Sequence, residues 1–129
     1  MQPAQLLALL AAGEPLSGEA LAVAAGVTRA AIWKQVEALR RRGVPVEARG
    51  AAGYCLPWPL QMLDAARIRA LLPTSAASAL SALEVHWELD STSSELQRRL
   101  ATAGDFSVVL AETQHAGRGR RGREWLSPT

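Results

Sequence analysis

The sequence predicts an α+β fold, and three observations carry that prediction. Apolar residues recur at helical spacing in three segments before Gly43, two later runs have strand character, and glycine and proline fall mostly between these segments. With 129 residues the chain is long enough for one ordinary domain or two small ones. Its 49% hydrophobic and 20% charged content is that of a globular protein rather than a disordered one.

The first element opens at Pro3, which suits a first helical turn; Leu6, Leu7 and Leu10 follow at helical spacing until Gly13 and Pro15 end the segment. Ser17 is placed to cap a second helix, with Glu19 in the first turn where the helix dipole favours an acid. Leu21, Ala24 and Ala25 supply its apolar face and Gly26 closes it. Thr28 caps a third helix whose stripe is Ile32, Val36 and Leu39, and Arg40, Arg41 and Arg42 precede the terminating Gly43. From Val44 to Leu56 the pattern is that of a β-hairpin: Val44 and Val46 alternate with other residues, a turn containing Gly50 and Gly53 follows, and Tyr54 and Leu56 alternate again. Three short helices followed by a hairpin describe a winged helix-turn-helix.

Pro57, Trp58 and Pro59 punctuate the chain, since each proline biases its predecessor toward extended geometry. The expected organisation is a winged helix-turn-helix over 1–57, a linker over 58–60 and a second region over 61–129. In the second region Leu60–Leu72 reads as a helix ended by Pro73, and Thr74–Ser81 as an irregular Ser/Ala stretch. Leu83, Val85, Trp87 and Leu89 mark a strand at period two. Ser91 and Thr92 then cap a helix running to about Ala103, and Phe106–Glu112 forms a second strand before a glycine- and arginine-rich loop over 113–123.

The net charge of +2 conceals two basic clusters. Arg29, Lys34, Arg40, Arg41, Arg42 and Arg49 outnumber the acids of the first region, and Arg118, Arg120, Arg121 and Arg123 crowd into the loop. One cysteine, Cys55, excludes an internal disulfide framework, and with His86 and His115 far apart no metal-ligand spacing is present. No apolar run approaches the roughly 18 residues of a membrane span. Leu6–Ala12 is apolar, yet no Lys or Arg precedes it as a secretory signal requires, so it reads as a core helix and the protein as cytoplasmic.

Opposite the Ile32, Val36 and Leu39 stripe the third helix presents Ala30, Lys34, Glu37 and Arg41, with Trp33 on the flank. An apolar face docked on the domain and a polar, cationic face turned outward is the division a DNA recognition helix needs. Thr28 and Arg29 stand at its N-terminus, where backbone N–H groups favour phosphate, and Arg49 sits at the hairpin tip. The candidate DNA-binding set is therefore Thr28, Arg29, Ala30, Trp33, Lys34, Arg41 and Arg49. The same pattern is also that of a solvated charged face on a helical scaffold. For Trp33 two roles are open, packing at the helix edge or contact with a thymine methyl.

Gly117–Gly122 (GRGRRG) satisfies the letter of the dinucleotide motif G-x-G-x-x-G but not its context. Thr113–Ala116 separate it from the strand, and the following EWLSPT does not read as a helix. Guanidinium groups on a glycine backbone instead make a cationic loop, able to close over an anion such as phosphate. A nucleic-acid tether and a solvated loop are the alternatives.

Two stretches carry a family resemblance. The run SGEALAVAAGVTRAAIWKQVEALRRRGVPVEARGAAGYCLPWPLQML, from Ser17 to Leu63, resembles the N-terminal domain of biotin operon repressors that are also biotin–protein ligases, down to the Gly53-Tyr54 pair of the wing. DSTSSELQ (Asp90–Gln97) and ETQHAGRGRRGREW (Glu112–Trp125) resemble the start of the ligase catalytic domain. The resemblance implies operator DNA as the partner of the first region. For the full-length family it implies biotin and ATP, a biotinyl-5′-AMP intermediate, magnesium, a biotin carboxyl carrier protein as acceptor and a homodimer partner. In that reaction the biotin carboxylate attacks the ATP α-phosphate, and a carrier lysine then attacks the mixed anhydride. By resemblance Ser91, Thr92 and Gln114 line the biotin pocket and Gly117 and Arg118 contact biotin or the adenylate. Arg120, Arg121 and Arg123 serve the phosphate side, with Arg118 and Arg120 offsetting charge on the phosphoryl oxygens. Ser93 stands where the family commonly has Asn, which removes that amide's hydrogen bonding. The family's catalytic domain continues far beyond this length, so the chain is expected to be an N-terminal fragment, with a truncated start of the ligase domain that does not biotinylate alone. The alternative is a stand-alone winged-helix regulator without ligase activity.

Overall fold

A computed structural model describes residues 2–127 of the chain. The chain divides into two compact units, residues 2–62 and 63–127.

In the first unit α1 (Pro3–Leu10), α2 (Gly18–Ala25) and α3 (Arg29–Arg41) precede a short hairpin of β1 (Glu47–Ala48) and β2 (Tyr54–Cys55). Each helix starts where its local chemistry dictates. Pro3 takes the first position of α1, the Ser17 hydroxyl accepts the Ala20 N–H at 3.0 Å, and the Thr28 hydroxyl accepts the Ala31 N–H at 3.2 Å. These side chains satisfy amide donors that a helix end otherwise leaves free. The three helices close over Leu6, Leu7, Leu10, Leu21, Ile32, Val36 and Leu39, all buried. Removing such a side chain from water contributes about 1.5–3 kcal/mol, so this stripe is the main source of the unit's stability. In α2 the buried face is centred between Leu21 and Ala22, which turns Ala24, expected on that face, outward to solvent.

The hairpin is shorter than the alternation predicts. Val44 and Val46 are buried as expected but lie ahead of β1. The Val44 N–H donates to Leu39 O at 3.1 Å and Arg40 Nε donates to Val46 O at 2.9 Å, so these backbone groups finish α3 instead of joining the ladder. Glu47 pairs with Cys55 and Ala48 with Tyr54. Tyr54 also pairs with Leu16, exchanging bonds of 2.8 and 2.9 Å with it, so the α1–α2 connection lies alongside β2 as a third strand-like edge. That approach requires glycine at 53: its φ is +98°, and a Cβ there would lie 2.1 Å from the Leu16 carbonyl oxygen. Cys55, in β2, is fully buried.

The second unit runs α4 (Ala65–Leu71), α5 (Thr74–Ala79), β3 (Ala82–Leu89), α6 (Thr92–Arg98) and β4 (Ser107–Gln114). β3 and β4 pair in parallel, from Ala82 opposite Ser107 to Leu89 opposite Gln114, with α6 as the crossover that parallel pairing requires. Three helix boundaries depart from the sequence pattern. The helix expected from Leu60 begins only after Asp64, whose carboxylate accepts the Arg67 N–H at 2.7 Å. Before it, the Leu60 and Leu63 amides are committed elsewhere, to Ala11 O and to the Glu112 carboxylate. The Ser/Ala stretch is helical as α5, which starts directly after Pro73, and the Arg69 guanidinium binds Ala77 O at 2.8 Å. α6 stops at Arg98 instead of running to Ala103: Leu100 is exposed and finds no apolar surface to hold a further turn. Among the described residues of this unit Val109 and Ser91 are the buried ones. No helix among the described residues is long and apolar enough to cross a membrane.

Candidate nucleic-acid interface and glycine-arginine loop

The outward face of α3 is built by the burial of its inner face. With Ile32, Val36 and Leu39 at 0% exposure, Arg29, Ala30, Trp33, Lys34 and Arg41 are forced to solvent. Trp33 is 57% exposed, so much of its ring is accessible to solvent. Thr28 is occupied as the cap of α3. Arg29, Ala30 and Trp33 line an open groove of about 580 Å³ together with Ser17, Gly50 and Tyr54, so the N-terminal half of α3 and the wing share one concavity. Lys34 and Arg41 are exposed but do not line it. Arg29, Lys34 and Arg41 have no ion-pair partner among the described residues.

The wing cation is different. Arg49 Nε and Nη2 both donate to Glu47 Oε2, at 3.3 and 3.0 Å, and the Glu47 carboxylate pushes the guanidinium further toward its charged form. Arg40, one of the arginine triplet, binds both Glu37 and Val46 O and so ties α3 to the wing. Glu47 and the tying role of Arg40 were not legible in the sequence. A triplet of identical residues gives no signal for which member turns inward, and an acid two residues from Arg49 is unremarkable until the turn folds.

In the second unit the carboxyl ends of β3 and β4 lie side by side, the end of a parallel sheet at which α/β folds commonly bind ligands. Ser91 is buried and its hydroxyl accepts the Ser94 N–H, capping α6. Gln114 Oε1 accepts from both the Thr92 N–H (2.8 Å) and the Thr92 hydroxyl (3.2 Å), joining the two strand ends. Gly117 lies against Trp125; a Cβ there would meet Trp125 Cδ1 at 2.5 Å. Arg118 bridges to Glu124 through the backbone, and its guanidinium donates to Ser94 Oγ at 3.1 Å and Gln97 Oε1 at 3.2 Å. Ser94 and Gln97 lie within the Asp90–Gln97 run but receive no site role from sequence, although their i, i+3 spacing on α6 is a usable signal. Ser91, Thr92, Gln114 and Arg118 are thus brought together around the α6 N-terminus. Arg120, Arg121 and Arg123 are exposed and have no ion-pair partner among the described residues. Residues 120–122 form a single 3-10 turn with Arg121 at φ +60°, not the helix a dinucleotide motif needs.

An ionic ladder fixes this corner. Arg98 grips both oxygens of Asp90, at 2.8 and 2.9 Å, and also Glu95; Arg99 reaches Glu84 and Glu95. The Arg98 guanidinium, aided by the Ser91 N–H, holds the Asp90 carboxyl well below the usual carboxylate range. Glu95 is lowered by Arg98 and Arg99, and Glu84 by Arg99 and His86. The unpaired arginines beside a polar turn suit a phosphate-bearing ligand, whereas no group of three His, Cys, Asp or Glu side chains suited to a metal is gathered among the described residues.

Residues 4–55 match the HTH domain family. Across 126 residues, 98% of its length, the chain is 43% identical to the bifunctional ligase/repressor BirA of Salmonella typhimurium and 42% identical to that of Escherichia coli. It is 36% identical over 118 residues to the protein of the same name from Bacillus subtilis. The chain spans 38%, 37% and 36% of the length of these three relatives.

Proposed function

We infer that this chain, homologous over nearly its whole length to bifunctional ligase/repressors, binds double-stranded operator DNA through its first unit as the repressor module of such a protein. The observation that carries this reading is the division of α3, with its stripe wholly buried and Arg29, Lys34 and Arg41 exposed and, among the described residues, without an ion-pair partner. Backbone cations position a recognition helix on phosphates, while Ala30 and Trp33 face base edges. We propose a cytoplasmic location along with that reading. Fluorescence anisotropy with labelled duplex DNA tests the reading. Affinity falls steeply between low and physiological salt, and Arg29→Gln with Lys34→Gln flattens the salt slope by about 0.9 for each phosphate left without its cation. Arg118→Gln leaves DNA binding unchanged. Failure of the chain to bind duplex at low salt overturns the reading.

For the second unit we propose the biotin side of the ligase, in the setting of the full-length protein with its ATP, magnesium, carrier protein and homodimer partner. Ser91, Thr92 and Gln114 supply a polar wall for biotin, and Gly117 and Arg118 place the loop against it. Arg120, Arg121 and Arg123 remain available to the phosphate of biotinyl-5′-AMP, which supplies the activated acyl group when bound. That those three arginines have no ion-pair partner among the described residues supports the assignment, because a phosphate offers their guanidinium groups charge-assisted bonds.

A further inference from the structure

We propose that Glu47 restrains the wing of the DNA-binding unit: its carboxylate holds Arg49 in an intramolecular pair, so the wing delivers a full cation to DNA phosphate only when that pair opens. This rests on the DNA-binding reading above. The turn itself fixes the arrangement. The Arg49 N–H donates to Gly53 O at 2.7 Å, which pins the Arg49 backbone. Residues two apart on extended backbone share a face, and Arg49 folds back to place Nε and Nη2 on one oxygen of Glu47. Glu47 itself is held in register opposite Cys55. The pair is solvent-exposed, with side chains 55% and 45% accessible, so it is weak enough to open and its charges reach a docked ligand. Among the described residues Arg29, Lys34 and Arg41 have no ion-pair partner, whereas Arg40 is paired with Glu37 and tied to Val46 O, so of the cations proposed to meet DNA it is Arg49 that is restrained. A duplex brought to the wing meets either a neutral pair or a carboxylate that must be turned away from the phosphates. Either event reduces what Arg49 contributes.

The test measures binding of the 129-residue chain to a random-sequence duplex across a salt series, for wild type, Glu47→Gln, Arg49→Gln and the double variant. Glu47→Gln keeps the side chain's shape while removing its charge. It is expected to tighten binding by about 1.5- to 5-fold, the range of an exposed ion pair, and to steepen the salt slope by about 0.9, one further neutralised phosphate. Arg49→Gln then removes more of the slope from the Glu47→Gln background than from wild type. Equal slopes for wild type and Glu47→Gln, with wild type binding normally, refute the restraint and leave the DNA-binding reading standing. No binding by wild type refutes both. Matching circular dichroism spectra for the four proteins assign any difference to charge and not to folding.

Discussion

Gly53→Ala and Gly50→Ala place the same methyl group at two positions of one turn, and the structure assigns them unequal costs. At Gly50 the φ is +54° and nothing lies within 4 Å of the new carbon, so the cost is the left-handed conformation alone, about 1–2 kcal/mol for an L-residue. At Gly53 the φ of +98° with ψ −135° is backbone essentially reserved for glycine, so the backbone cost is at least as large, and the methyl collides with Leu16 O at 2.1 Å and Leu16 C at 2.5 Å. The colliding atoms are backbone and cannot swing aside. The wing must separate from Leu16, breaking the two bonds of 2.8 and 2.9 Å between Leu16 and Tyr54. At about 0.5–1.5 kcal/mol each these bring the total to about 2–5 kcal/mol, a large part of the roughly 5–15 kcal/mol that stabilises an ordinary domain. Amide hydrogen exchange at Leu21, Ile32 and Leu39, measured on the full chain, reports the opening of the first unit separately from the second. Gly53→Ala is expected to speed exchange there well beyond Gly50→Ala. Equal effects of the two substitutions would refute the claim that close approach to Leu16 dictates glycine at 53.

Two further outcomes follow from the second unit. Asp90, Glu84 and Glu95 all have folded-state pKa values lowered by their arginine partners, so they contribute stability above their unfolded values and lose it as the pH falls below about 4. Thermal melting monitored by circular dichroism should drop on acidification, with Asp90→Asn flattening the dependence and high salt weakening it; a melting temperature that rises toward acid contradicts the ladder. Gln114→Ala leaves the Thr92 N–H and hydroxyl without their shared acceptor. A loss of about 1–3 kcal/mol, concentrated in faster exchange of the Thr92 amide, is the expected result, while unchanged Thr92 exchange would show that water replaces Gln114 at no cost.

The helical half of the molecule was legible because its signals are local. Ser17 and Thr28 cap the helices that follow them, and Ile32, Val36 and Leu39 form a stripe whose period alone marks the inner face. The wing was legible as a hairpin but not in extent, because Val44 and Val46 keep a strand's burial pattern while their backbone completes α3. The late start of α4 combines a local cap, Asp64, with a long-range bond from Leu63 to Glu112 that no local pattern announces. Around the loop, Ser91, Thr92, Gln114 and Arg118 could be named from sequence, yet their grouping depends on the parallel register that sets Leu89 beside Gln114. Ser94 and Gln97 enter the site only because Arg118 reaches across to α6.

Cys55, the chain's one thiol, is part of the hairpin itself, at 0% exposure and opposite Glu47. A buried thiol is inert until its cover lifts. Its alkylation rate is therefore an internal clock for wing opening, with no label to introduce and no second thiol to confuse the signal. The same clock, run with and without duplex DNA, reads whether the wing is clamped when the recognition helix is engaged.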